Sequence, residues 1–204
     1  MKKHLIRNLA AMAVVVCFAF ALPETETQKI NVVIDAGHGG KDFGAKHDDF
    51  LEKDIVASIA QKVKELNDDK EVVIHFTRNE DEFQQLTDRV ETINNIKPDL
   101  VLSLHINMTG KSDKSGMEFY IGQDVAQNQK SKEYAAKLSA AMSDRFEVAP
   151  VKEAKFYILK NTEVPGVLFE MGFLSNENDR QYLTSQDGQK EIASRIVNFL
   201  KEIE

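Results

Sequence analysis

Cysteine occurs once in the 204 residues, at Cys17. A single thiol excludes a disulfide framework and any cysteine-rich metal site, so a bound metal must be held by histidine and carboxylate. Basic charge is also short: 26 Lys and Arg stand against 33 Asp and Glu, a formal net charge of -7. No cluster of Lys and Arg builds the basic face that phosphate binding needs, which argues against nucleic acid as a partner. Four prolines and ten glycines exclude a collagen-like repeat. The rest, 42% hydrophobic and 29% charged, suits a soluble globular chain with one core and no second domain.

The first residues differ from the remainder. Lys2, Lys3 and Arg7 come with no acid, Leu9 to Ala21 is almost purely apolar, and Ala19-Phe20-Ala21 offers an A-x-A cleavage site. A charged start, a short apolar run and small residues at its end are the marks of a secretory signal peptide over residues 1–21. An uncleaved anchor is the bland alternative; a lipoprotein reading of Cys17 is disfavoured by the branched Val16 before it. Cleavage after Ala21 leaves 23 basic against 33 acidic residues, a charge of -10, and no cysteine. The expected product is exported to the periplasm or beyond the cell, with no stable membrane insertion. Residues 22–29 (LPETETQK) read as a polar spacer, and 30–204 as the domain.

That domain alternates strand-like and helix-like runs. Asn31–Asp35, Glu71–Thr77, Leu100–Leu104, Gly116–Ile121, Lys155–Leu159 and Gly166–Phe169 read as strands. Helical spacing appears in Ile55, Val56, Ile59, Ala60, Val63 and Leu66, and again in Leu86, Val90 and Ile93. Tyr134 to Met142 forms a third helix, and a last one begins near Asp187, a candidate N-cap. This alternation predicts an α/β fold: a mostly parallel, twisted sheet of about six strands, covered by helices on both faces, in a single domain.

In such sheets, sites form at the carboxyl ends of the strands. Four chemically capable residues fall there: His38 in the turn AGHGG, Glu52 at the front of the first helix, His105 in SLHIN and Glu170 in FEMGF. Each has an ordinary reading alone. Glu52 could complement a helix dipole, His105 could be a satisfied core histidine, and Glu170 could be a surface acid on an emerging strand. Together they suit one site, since two imidazoles and a carboxylate with an open position make a catalytic zinc set, and a further carboxylate can move protons. His47, in a polar loop, and His75, within a strand, read as non-ligands. The glycines around His38 supply backbone freedom; the spacings of phosphate-cradling loops are absent.

The chain resembles the zinc-dependent N-acetylmuramoyl-L-alanine amidases of bacterial cell walls. The likeness runs from about Ile30 to Leu200 through VVIDAGHGGKDFGA, LEKDI, TRNED, SLHIN and VPGVLFEMGFLSN, in that order. It implies one zinc ion per chain held by His38, Glu52 and His105, with Glu170 as the catalytic glutamate. It further implies an α/β sheet between helices, and hydrolysis of the amide joining the lactyl group of N-acetylmuramic acid to L-alanine in peptidoglycan.

Asp35 and Asn107 are near enough in sequence to support the ligands, or to be a turn cap and a strand-end polar residue. The interval from Met108 to Phe169 leaves little room for a helical plug over the site, so an open cleft is expected. The chain is expected to be a monomer that an unidentified targeting or activating protein could direct. A zinc peptidase acting within the stem peptide and an inactive wall-binding module are the competing classes.

Overall fold

The computed structural model describes residues 29–123 and 125–203. The expected signal peptide, Cys17 and the expected spacer as far as residue 28 lie outside the described residues. Among the described residues, eight strands and six helices follow in chain order. They are β1 (Ile30–Ala36), β2 (Lys46–His47), β3 (Phe50–Leu51), α1 (Glu52–Leu66), β4 (Val72–Phe76), α2 (Leu86–Ile96), β5 (Leu100–Asn107) and β6 (Glu118–Gly122). Then come α3 (Asn128–Ser143), β7 (Lys152–Ala154), α4 (Tyr157–Asn161), β8 (Gly166–Phe173), α5 (Glu177–Thr184) and α6 (Gln186–Glu202).

Six strands form one sheet in the order β4-β1-β5-β8-β6-β7, while β2 and β3 make a separate antiparallel pair. The first four strands run parallel. β6 lies antiparallel to β8 and parallel to β7, so the sheet is mostly parallel, as the alternating pattern predicts. β1, β5 and β8 are apolar on both sides because each is covered on both faces.

The two faces are covered unequally. On one, α1, α3 and α6 pack Ile59, Leu138 and Ile196 against Val32, Ile34, Leu102 and Phe169. There Phe169 stacks on Phe119 with ring centres 4.4 Å apart. On the other, only α2 and the short α4 lie over the sheet, packing Ile93, Ile158 and Leu159 on Val33, Val101 and Leu168. Because side chains alternate along a strand, Asp35, Ser103, His105, Glu170, Glu118 and Tyr120 share this thinly covered face.

Three expectations need correction. Lys155–Leu159 is not a strand: β7 stops at Ala154, and Tyr157–Asn161 makes a short helix that turns both Ile158 and Leu159 inward. A short apolar run cannot be assigned by periodicity alone. Leu86 does not belong to the buried side of its helix. It is 51% exposed, while Arg89 is 2% exposed, because Asp35 supplies a buried counter-charge. The last helix is capped by Ser185, whose Oγ accepts from the Gly188 N–H, and Asp187 sits within its first turn. The β2–β3 pair and α5 carried no clear sequence signal.

Phe169 tests the main core. Phe169→Ala should cost about 3–5 kcal/mol through lost burial and the cavity left beside Phe119. Urea denaturation followed by circular dichroism should therefore give a clearly lower midpoint with an unchanged slope.

Candidate metal centre and cleft

Two buried arginines shape the loop after β1. Arg89 Nη1 meets Asp35 Oδ1 at 2.8 Å and donates to the Ala36 carbonyl at 2.7 Å, and Nη2 donates to the His38 carbonyl. Arg78 Nε donates to the Ala36 carbonyl at 3.0 Å, and Nη2 to the carbonyls of Gly37 and Lys53. This clasp holds His38 at φ 61, a left-handed conformation that costs a non-glycine residue about 1 kcal/mol. Gly37 is required for a different reason: a Cβ there would lie 2.3 Å from Cε1 of His105. The ring occupies the space a side chain would fill.

α1 starts where β3 ends, so Glu52 reaches over the strand ends and is 4% exposed. Its Oε1 lies 3.1 Å from Nε2 of His38 and 2.9 Å from Nδ1 of His105, and accepts from the Ile106 N–H at 2.9 Å. Oε2 accepts from the Ala45 N–H at 2.7 Å. One donor atom from each of His38, Glu52 and His105 falls within 4.8 Å of the others, a cluster that could hold a metal ion. His47 pairs with Asp48 and His75 approaches Asn31, so neither joins it.

One neighbour of the cluster has no place in the sequence reading. Asp42 Oδ2 stands 2.9 Å from Nδ1 of His38. Its signal was its place four residues after His38 in a glycine-rich turn. Asp35 instead accepts from Thr77, Arg89 and Ser103, and Asn107 donates to Glu118; neither meets a ring nitrogen of the two histidines.

Glu170 follows from strand pairing. It sits beside His105 in the β5–β8 register and opposite Glu118 in the β8–β6 register. Its Oε2 is buried and has no hydrogen-bond partner among the described residues. Burial, reinforced by the charges of Glu52 and Glu118, pushes its carboxyl up to about 7 against the pull of His105 and His38. Burial also works to raise Glu52, but the two histidines outweigh it and hold that carboxyl well below its usual range. His38 would be lowered by burial, yet Glu52 and Asp42 push it up to about 9.

A cleft of about 560 Å³ opens onto these groups. Phe83 and Leu86 form one wall and Phe156 and Tyr157 the other, with His38, His105 and Glu170 among the groups lining it.

Without metal, His38 stabilises the fold as a cation. Its folded value lies above the unfolded one, so that stabilisation is complete below about pH 6.5 and lost as pH rises through about 9. The melting temperature of chelator-treated protein should fall across that window, measured by scanning calorimetry, and His38→Asn should flatten the fall.

Comparison with known proteins identifies the family. Residues 32–202 match the family described as N-acetylmuramoyl-L-alanine amidase. The chain is 32% identical over 169 residues to the uncharacterized protein YqiI of Bacillus subtilis, covering 82% of this chain and 81% of that one. The catalytic domain of CwlV, an N-acetylmuramoyl-L-alanine amidase from Bacillus (Paenibacillus) polymyxa var. colistinus, superposes with a TM-score of 0.79 at 30% identity. That match covers 85% of this chain and 97% of that domain. The CwlD amidase of Clostridioides difficile, solved in complex with the GerS lipoprotein, gives a TM-score of 0.78 at 29% identity, over 85% and 98% of the two chains. Matched over nearly all its described length, this chain belongs to the N-acetylmuramoyl-L-alanine amidase family of hydrolases.

Proposed function

We propose that the protein is a zinc-dependent N-acetylmuramoyl-L-alanine amidase that acts on peptidoglycan outside the cytoplasm, cutting the amide between the lactyl group of N-acetylmuramic acid and L-alanine. The observation that carries this reading is the buried, unpartnered Glu170 oxygen beside a three-donor cluster on an open cleft. Two nitrogens and one oxygen fit a borderline ion such as zinc, and the unpartnered carboxylate remains available for proton transfer.

Zinc, when bound, supplies Lewis acidity toward a carbonyl and lowers the pKa of water. His38, Glu52 and His105 would hold it. Nδ1–H of His38 donates to Asp42 in this reading, leaving Nε2 free to face the cluster. His38 must then shed its extra proton on metal binding, which its neighbouring carboxylates resist in the metal-free protein. Glu170 takes a proton from the attacking water and returns it to the departing alanine nitrogen. The Oε2 of Glu170, buried beside the cluster with no hydrogen-bond partner among the described residues, is free for both halves of that transfer.

Export after cleavage at Ala21 is part of the proposal, as is a protein that targets or activates the enzyme. CwlD, solved in complex with the GerS lipoprotein, shows that a similar amidase domain can bind another protein.

Glu170→Gln should retain zinc by elemental analysis while single-turnover hydrolysis of a defined muropeptide drops by about a hundred- to ten-thousand-fold. Loss of zinc in that variant would make Glu170 a ligand instead. His105→Ala should lose both metal and activity. Mass spectrometry of the wild-type products must show free L-alanine at the peptide's amino end; cuts within the stem peptide would mark a peptidase. Intact mass of the exported protein should match a chain starting at Leu22.

A further inference from the structure

Immediately beyond Glu170 on the same sheet face lies a charged cluster that the proposed chemistry does not use. Glu118, 5% exposed, faces Glu170 directly across the β6–β8 pair, one strand spacing of about 4.8 Å away. Its Oε1 accepts from Lys152 Nζ at 2.9 Å and from Lys114 Nζ at 3.2 Å. Its Oε2 accepts from the Tyr120 hydroxyl at 2.8 Å and from Asn107 Nδ2 at 3.1 Å. Tyr120 in turn meets Phe156, a wall of the cleft, edge to face at 5.2 Å.

Two ammonium groups share one carboxylate, and both lysine side chains are 45% exposed, so each has donors left for a further anion. Glu118 works as a buried anchor that holds two flexible cations in one place. These two cations lie one strand beyond Glu170, which lines the cleft, in a chain whose net charge is -7.

Direction identifies the ligand. On the reading above, which this inference rests on, Glu170 returns a proton to the leaving nitrogen. A peptide that continues past Glu170, away from His38, meets β6 as the next strand. We infer that Lys114 and Lys152 form a subsite for a carboxylate of the stem peptide, held by Glu118 beside the reacting bond. The lysines contact the peptide and select it; they take no part in the bond cleavage.

The test compares N-acetylmuramoyl-L-alanyl-D-glutamate with its bis-carboxamide, two substrates of one skeleton that differ in charge. The zinc-loaded wild type should favour the acid in kcat/KM by about tenfold or more, carried mainly by KM, as expected for a charge-assisted contact. The preference should shrink as salt is raised. In Lys114→Met/Lys152→Met the ratio should collapse toward one. If the double variant unfolds early because Glu118 is left alone, adding Glu118→Gln removes the orphaned charge and the same ratio is read. A wild type without preference, or a variant that keeps it, overturns the subsite. Should the wild type cleave neither substrate at the lactyl amide, the amidase reading fails instead. Titration calorimetry of the two compounds into Glu170→Gln then still decides whether the lysines bind the carboxylate.

Discussion

The Asp35–Arg89 pair is the interaction on which the site depends. Both groups are almost wholly withdrawn from water, and each finds further partners: Asp35 accepts from Thr77 and Ser103, and Arg89 donates to two loop carbonyls. Burial works to raise the Asp35 carboxyl, but Arg89 and Thr77 keep it below its ordinary value, so it stays charged. An isolated buried charge would cost several kcal/mol, and removing either partner is correspondingly severe, about 3–5 kcal/mol. The pair joins β1, β5, the end of β4 and α2 at one point beneath the loop that presents His38. Arg78 completes the clasp from the other side. Rigidity near the cleft thus comes from ion pairing in a place where apolar packing is thin.

Uneven coverage of the sheet explains where chemistry can occur. Three long helices seal one face, and the energy of burial is concentrated there. The opposite face is left to two shorter helices, which stop short of the carboxyl ends of β1, β5 and β8. Polar side chains that would be intolerable in the main core stand on this face because those that are buried, such as Asp35 and Glu118, are paired, and others open onto the cleft. Glu52 belongs to the sealed side by its helix, yet being the first residue of α1 it crosses over the strand ends.

Much of this was legible in the sequence, for reasons that differ between residues. His38, Glu52, His105 and Glu170 each adjoin a strand or helix whose apolar pattern is strong, and topology brings such ends together. Leu86 lies outside its expected place and Arg89 is buried instead because the counter-charge that permits burial, Asp35, lies on a strand far away in the chain. No periodicity records that. Asp42 was hidden for the opposite reason: its contact with His38 is local but depends on a left-handed turn. The run around Phe156 and Tyr157 was misread as a strand because two adjacent apolar residues fit either geometry until the end of β7 is known.

The register of β8 has a consequence of its own. Glu170 and Phe169 are neighbours in sequence but point to opposite faces, one to the cleft and the other onto Phe119. A slip of one residue against β5 would drive the carboxylate into the sealed core and expose the aromatic ring. Misaligned chains are therefore penalised by the whole hydrophobic face, far more heavily than the reacting groups could penalise them. The placement of the Glu170 carboxylate is inherited from core residues on the opposite face, and a chain that folds at all has already placed its glutamate.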